Sequence, residues 1–134
     1  MVRSNFFIYN SINNFFEILD RDLDDFDNLI TDDFFIFENS RRYSAEEFIK
    51  FVKTFDIVTS QRRFEDITID TDYNSAHLSL KHFGEFIVNT PEGKVKLEFE
   101  CLESCYLVKK AEKLKFKFYF SKAIENNVTD LESN

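Results

Sequence analysis

His82, Cys101, Glu103 and Lys122 are the residues whose types could do chemistry together in this chain. An imidazole and a carboxylate within reach of each other exchange protons, a thiol can attack, and an ammonium steadies a negative charge. Walled by Leu and Phe, such groups acquire the shifted pKa values that make general acids and bases. Whether they meet depends on strand register.

All four lie in residues 64–124, which read as four strands in a row joined by short turns. Thr90-Pro91-Glu92-Gly93 is turn chemistry, with Pro presetting φ and Gly taking the left-handed position. Pairing Asn89 with Lys94 sets Val88 opposite Val95, Phe86 opposite Leu97, Gly84 opposite Phe99, His82 opposite Cys101, Leu80 opposite Glu103 and Leu78 opposite Cys105. Side chains alternate along a strand, so these share one mostly apolar face, the one expected to be buried. Lys110-Ala111-Glu112-Lys113 is a weaker turn signal. Pairing Lys109 with Leu114 across it sets Leu107 opposite Phe116, Cys105 opposite Phe118, Glu103 opposite Phe120, Cys101 opposite Lys122 and Phe99 opposite Ile124. The first strand, 63–70, turns at Thr71-Asp72-Tyr73-Asn74. It places Ile69 beside Ala76, Ile67 beside Leu78, Glu65 beside Leu80 and Arg63 beside His82.

This register predicts a polar island on the buried face. His82, Cys101 and Lys122 form one row, with Glu103 in the next and diagonal to both His82 and Lys122. The expected site is His82 and Glu103 as an acid–base pair at the mouth of a Phe-lined pocket. Ligand contacts are expected from Glu65, Leu80, Phe99, Cys101, Phe118, Phe120 and Lys122. The same groups fit a plain Lys122–Glu103 salt bridge at a rim better than they fit catalysis, with Cys101 a small buried hydrophobe. His77 falls on the face opposite His82, so no metal site is expected, and no motif implies a cofactor. The acidic run 20–33 is too poor in Gly for a calcium loop and reads as helix-capping residues.

The elements upstream must cover that face. Ile8, Ile12, Phe15, Phe16 and Leu19 recur at spacings of three and four, which predicts a helix over about residues 4–20. Asp22 is placed to cap a short second helix through Leu29. Phe34 to Phe37 reads as a short strand, and 39–43 as a polar turn. Ser44-Ala45-Glu46-Glu47 is a capping box opening a third helix with Phe48, Val52 and Phe55 on one stripe.

With 134 residues the chain suits one domain, 1–124, and residues 125–134 read as a polar, mobile tail. The formal charge of −8 disfavours nucleic acid and anionic membrane surfaces, and suits a basic protein partner. Cys101 and Cys105 sit four apart on one strand, about 13 Å, too far for a mutual disulfide. Two thiols that cannot pair, with no signal-peptide pattern, point to the cytoplasm.

The order long helix, short helix, short strand, helix and four long antiparallel strands resembles the nuclear transport factor 2-like superfamily, the cone shared with ketosteroid isomerase, scytalone dehydratase and SnoaL-like cyclases. Leu29-Ile30-Thr31-Asp32-Asp33-Phe34-Phe35-Ile36-Phe37 and Tyr43-Ser44-Ala45-Glu46-Glu47-Phe48-Ile49-Lys50-Phe51-Val52 carry the resemblance, which covers about residues 4–124. It implies an α+β, cystatin-like cone, with three N-terminal helices on a curved, mainly antiparallel sheet that ends in a four-strand meander. It also implies a pocket under the helices, with Asp33 (Asp32 fits as well) near the family's acidic position and Tyr9 on the first helix. The expected function is binding of a small apolar ligand with isomerase-, dehydratase- or cyclase-like acid–base chemistry. The alternative is a non-enzymatic interaction module, for example an acidic immunity-type partner of a basic protein. A homodimer is expected through the outer sheet face, which presents Lys115, Lys117, Tyr119, Leu102, Ser104 and Tyr106.

Overall fold

In the computed structural model the described residues are 5–38 and 40–131, and the side chains of residues 5–7 and 9 lie outside that set. The expectation for the Tyr9 side chain therefore falls outside the described residues. Helix α1, Asn5–Arg21, follows the predicted stripe: Ile8, Ile12, Phe15, Phe16 and Leu19 are all buried on one side. A short 3₁₀ helix, Leu23–Leu29, comes next. Asp22 precedes it but makes no side-chain capping bond, so the expected cap is absent; Asp24 and Asp25 do occupy the first turn. Strand β1, Ile30–Glu38, is longer than the apolar core Phe34 to Phe37 suggested, and Asp32 and Asp33 lie within it, exposed. Asp33 binds Thr31 and Lys117 there, away from any pocket.

Strand β2, Arg41–Ser44, occupies most of the segment read as a turn and pairs antiparallel with β1. Helix α2, Ala45–Val52, opens on the capping box as predicted: the Ser44 hydroxyl accepts from the Glu47 amide while the Glu47 carboxylate accepts from the Ser44 amide. Four long strands come after it: β3, Asp56–Thr71; β4, Ser75–Thr90; β5, Gly93–Lys110; and β6, Lys113–Asp130. With β1 and β2 they make one six-stranded sheet in the order β2-β1-β6-β5-β4-β3, antiparallel except where β1 runs parallel to β6. Residues 125–130, expected as tail, are the end of β6, with Val128 opposite Leu97 and Asp130 opposite Val95. β5 continues to Gly93 and offers unpaired backbone groups along this length, and β6 satisfies them.

One face of the sheet carries α1, α2 and the core. Phe15 stacks on Tyr119 and packs on Phe116 and Phe26, while Phe16 lies against Phe64 and His82. Each fully buried ring of this kind is worth roughly 2 kcal/mol of transfer free energy. None of the helices among the described residues is long and apolar enough to cross a membrane.

Candidate functional site

Strands β4 and β5 pair in the predicted register throughout, with His82 opposite Cys101 and Leu80 opposite Glu103. The two outer neighbours do not follow the expected alternation, and the difference remakes the site. In β6 one extra residue at Lys117 breaks the alternation, because Leu107 faces Phe116 while Tyr106 faces Phe118. From there on Tyr119, Ser121 and Ala123 turn inward. Phe118, Phe120 and Lys122 turn to the other face, so the row His82–Cys101–Lys122 and the Lys122–Glu103 salt bridge do not form. In β3 a bulge at Asp66, whose φ is +53°, does the same. The turn takes residues 72–75 rather than 71–74, so Ile69 pairs with Leu78 rather than Ala76, and beyond the bulge Phe64 and Arg62 point inward at His82 and Gly84. Glu65 and Arg63 point outward and bind each other at the surface.

The polar island therefore exists with different members. His82 is 1% exposed, and its Nδ1 lies 3.0 Å from Glu103 Oε1. Its Nε2 lies 3.2 Å from a terminal nitrogen of Arg62. A guanidinium has no lone pair to offer, so Nε2 accepts and the ring hydrogen sits on Nδ1, donated to Glu103. The Tyr119 hydroxyl donates to Glu103 Oε1 at 2.5 Å and the Ser121 hydroxyl to Oε2 at 2.8 Å. Three donors hold one buried carboxylate. Burial, then the charge of Glu103, pushes the Tyr119 hydroxyl well above its ordinary value and keeps it a donor. Arg62 is held in turn by Asp20 of α1, which takes two of its nitrogens at 2.6 and 2.8 Å and also accepts from Ser60. The guanidinium is sandwiched between the rings of Phe16 and Phe86.

Beside this network is a cavity of about 320 Å³ between the sheet, α1 and α2. Phe15, Phe48, Phe51, Phe86 and Phe99 form much of its wall, and Ala123 and Val128 line it from the β6 end. Glu103, Tyr119, Ser121, Arg62, Asp20 and Cys101 face it. His82 is not among the lining residues; it stands behind Arg62 and Glu103. Leu80 is core and likewise does not line the cavity. Of the seven expected ligand contacts, Phe99 and Cys101 line it. Burial pushes the Cys101 thiol up to about 11, which leaves it a neutral neighbour rather than a nucleophile.

Glu38 is the residue that sequence reasoning missed. It closes β1 opposite Ser121 and lines the cavity. Desolvation, then the nearby charge of Glu103, raises its pKa to about 7, with Arg62 pulling weakly the other way. No hydrogen bond or ion pair engages its side chain among the described residues. The alternation Phe34, Ile36, Glu38 was a usable signal, since it puts Glu38 on the same face as two buried residues. Among the described residues no group of three or more His, Cys, Asp and Glu is placed to hold a metal ion.

This architecture matches solved structures over nearly its whole length. A hexachlorocyclohexane dehydrochlorinase (LinA) type 2 superposes with a TM-score of 0.76 at 8% identity, covering 92% of this chain and 87% of that one. An NTF2-like protein from Cytophaga hutchinsonii gives 0.70 at 12% identity, covering 92% and 100%. The fold is the nuclear transport factor 2-like cone. The association domain of C. elegans CaMKII shares it, with a TM-score of 0.70 at 13% identity over 86% of this chain and 92% of that one. No protein-family model matches the sequence, and no curated protein matches it either. At such identities the likeness concerns the cone alone, so any function has to be argued from the site.

Proposed function

We propose that this cone holds a small, largely apolar molecule in its cavity, with the molecule's polar end against Glu103 and Glu38 and set for proton exchange with Glu38. The observation that carries the reading is the aromatic-walled space ending on a fully hydrogen-bonded carboxylate. A cavity filled by its own Phe side chains would have favoured a pure interaction module. In this reading Glu103 and Glu38 meet the ligand. His82 is a positioning residue: its Nδ1–H fixes Glu103, while Arg62 fixes the ring through Nε2. Proton exchange with the ligand falls to Glu38, whose pKa near neutrality lets it both take and return a proton at pH 7.

Native mass spectrometry of the protein purified gently from its own cells tests this. The expected result is an adduct of a few hundred daltons that Ala123→Phe, which puts a ring into the cavity, removes. A bare polypeptide mass, with no thermal shift from a panel of small aromatic and aliphatic compounds, would sink the proposal.

The outer face of the sheet supports a partner reading. Because of the β6 bulge, Phe118 and Phe120 join Phe35 and Phe37 there, beside Leu102 and Tyr106 of β5. Leu102 is 44% exposed and Phe120 38%. This row is more apolar than the Lys115, Lys117, Tyr119 face the sequence suggested, and it fits a second copy of the chain.

A further inference from the structure

The charges around the cavity do not balance. Among the described residues Asp20, Glu38, Glu98 and Glu103 line it, against the single guanidinium of Arg62. That guanidinium is already committed to both oxygens of Asp20. Glu98 has Lys96 nearby, and Glu103 already accepts from three donors. Glu38 remains, facing the cavity with neither a cation nor a hydrogen-bond donor of its own among the described residues. A wholly neutral apolar occupant would bury this carboxyl without a partner, which is unfavourable. An anionic occupant would add a fifth negative charge beside one spoken-for cation. A cation would complete the site, and the aromatic lining, Phe48 and Phe51 among it, suits the apolar body that carries it.

We infer that the polar end of the ligand is a protonated amine, carried on an apolar body, which pairs with Glu38 at the end of β1. This rests on the ligand-binding reading above and names the ligand's chemical class. The carboxyl that is costly to ionise in the empty cavity becomes a favourable partner once an ammonium lies beside it. Glu38 is faced by Glu103 and Cys101 from β5, Ser121 and Tyr119 from β6, and Arg62 with its partner Asp20 from β3 and α1. Cys101 and Tyr119 stay neutral through pH 8. Glu38 is thus the group whose ionisation should govern amine binding near neutrality.

Isothermal titration with 4-phenylbutylamine and its uncharged isostere 4-phenylbutan-1-ol tests the inference. At pH 8 the amine is expected to bind about tenfold tighter than the alcohol, the scale of one charge-assisted contact. Lowering the pH to 6 should cost the amine about tenfold, since Glu38 is then mostly protonated, and leave the alcohol unchanged. Glu38→Gln should bring the amine down to the alcohol's affinity. The pH series on the unmodified protein needs no variant, so it decides the matter even if Glu38→Gln folds poorly. Equal affinities at pH 8, or an amine affinity insensitive to pH, would overturn the inference while leaving the cavity a ligand site. Failure of both compounds to bind would count against the ligand-binding reading itself, and the inference with it.

Discussion

Glu38 is held by the fold against its own preference. Its carboxyl titrates near pH 7 in the folded chain, against a reference value of 4.5, because it is desolvated beside Glu103. A carboxyl raised in this way binds its proton more tightly in the native state. Its stabilising contribution is full below about pH 4.5 and is lost as pH rises through 7. The loss is on the order of 2 kcal/mol once partial exposure is allowed for. Glu38→Gln should therefore equal the natural chain in urea unfolding at pH 4.5 and exceed it by about 1–3 kcal/mol at pH 8. A difference between the two that stays constant over that range would mean the carboxyl is not desolvated. The gain in stability would come at the ligand site, where strain of this kind is usually stored.

At the scale of elements, the central hairpin was legible and its flanks were not. The β4–β5 register follows from one Pro-Gly turn with alternating apolar residues on both sides, and every expected pair forms. Gly84 shows how closely this register is used. The ring of Phe99 lies on it, so that an added Cβ would sit 2.0 Å from Phe99 Cζ. Gly84→Ala must push Phe99 off, and Phe99 also touches His82 and Phe86 and lines the cavity. The expected cost is about 1–3 kcal/mol, read by thermal unfolding, with weaker binding of apolar probes. A variant that binds and melts like the natural chain would show that Phe99 is free to move. The flanking strands resisted because each carries two one-residue bulges, near Lys117 and Ile124 in β6 and near Val58 and Asp66 in β3. In Phe116-Lys117-Phe118-Tyr119-Phe120 nearly every position is aromatic, so alternation cannot say which residue is the extra one. In β3, continuing the parity of Ile67 and Ile69 backward turned Glu65 and Arg63 inward. The apolar Phe64 between them was the hint that the parity changes.

At the scale of the molecule, the bulge in β6 does two things at once. It brings Tyr119 and Ser121 to Glu103, and it sends Phe118 and Phe120 to the outer face beside Phe35 and Phe37. Site and partner surface are thus two sides of one strand. If the outer row joins two copies, size-exclusion chromatography with light scattering should give a dimer, and Phe120→Lys should give a monomer with the cavity network intact. Kd for such an interface depends on how well its aromatic centre packs rather than on area alone. A natural chain that runs as a monomer at all concentrations reached would remove the dimer reading and leave the apolar row without an occupant.

From local signals alone, the sequence determined the apolar stripe of α1, the capping box at Ser44 and Glu47, and the meander with its central register. It also determined the meeting of His82 with Glu103, while the cone was read from the resemblance of the whole element order. The cone apart, each of these depends on residues within a few positions of one another or on one turn, so periodicity and capping chemistry suffice to read them. The tertiary structure alone decided which of Phe118 or Tyr119, and of Glu65 or Phe64, faces inward. It also decided that β1 runs parallel to β6 and ends with Glu38 in the cavity. Those outcomes are settled by packing between distant segments. A bulge is placed where α1's rings and the buried carboxylate gain most, and that balance is not written in either strand by itself.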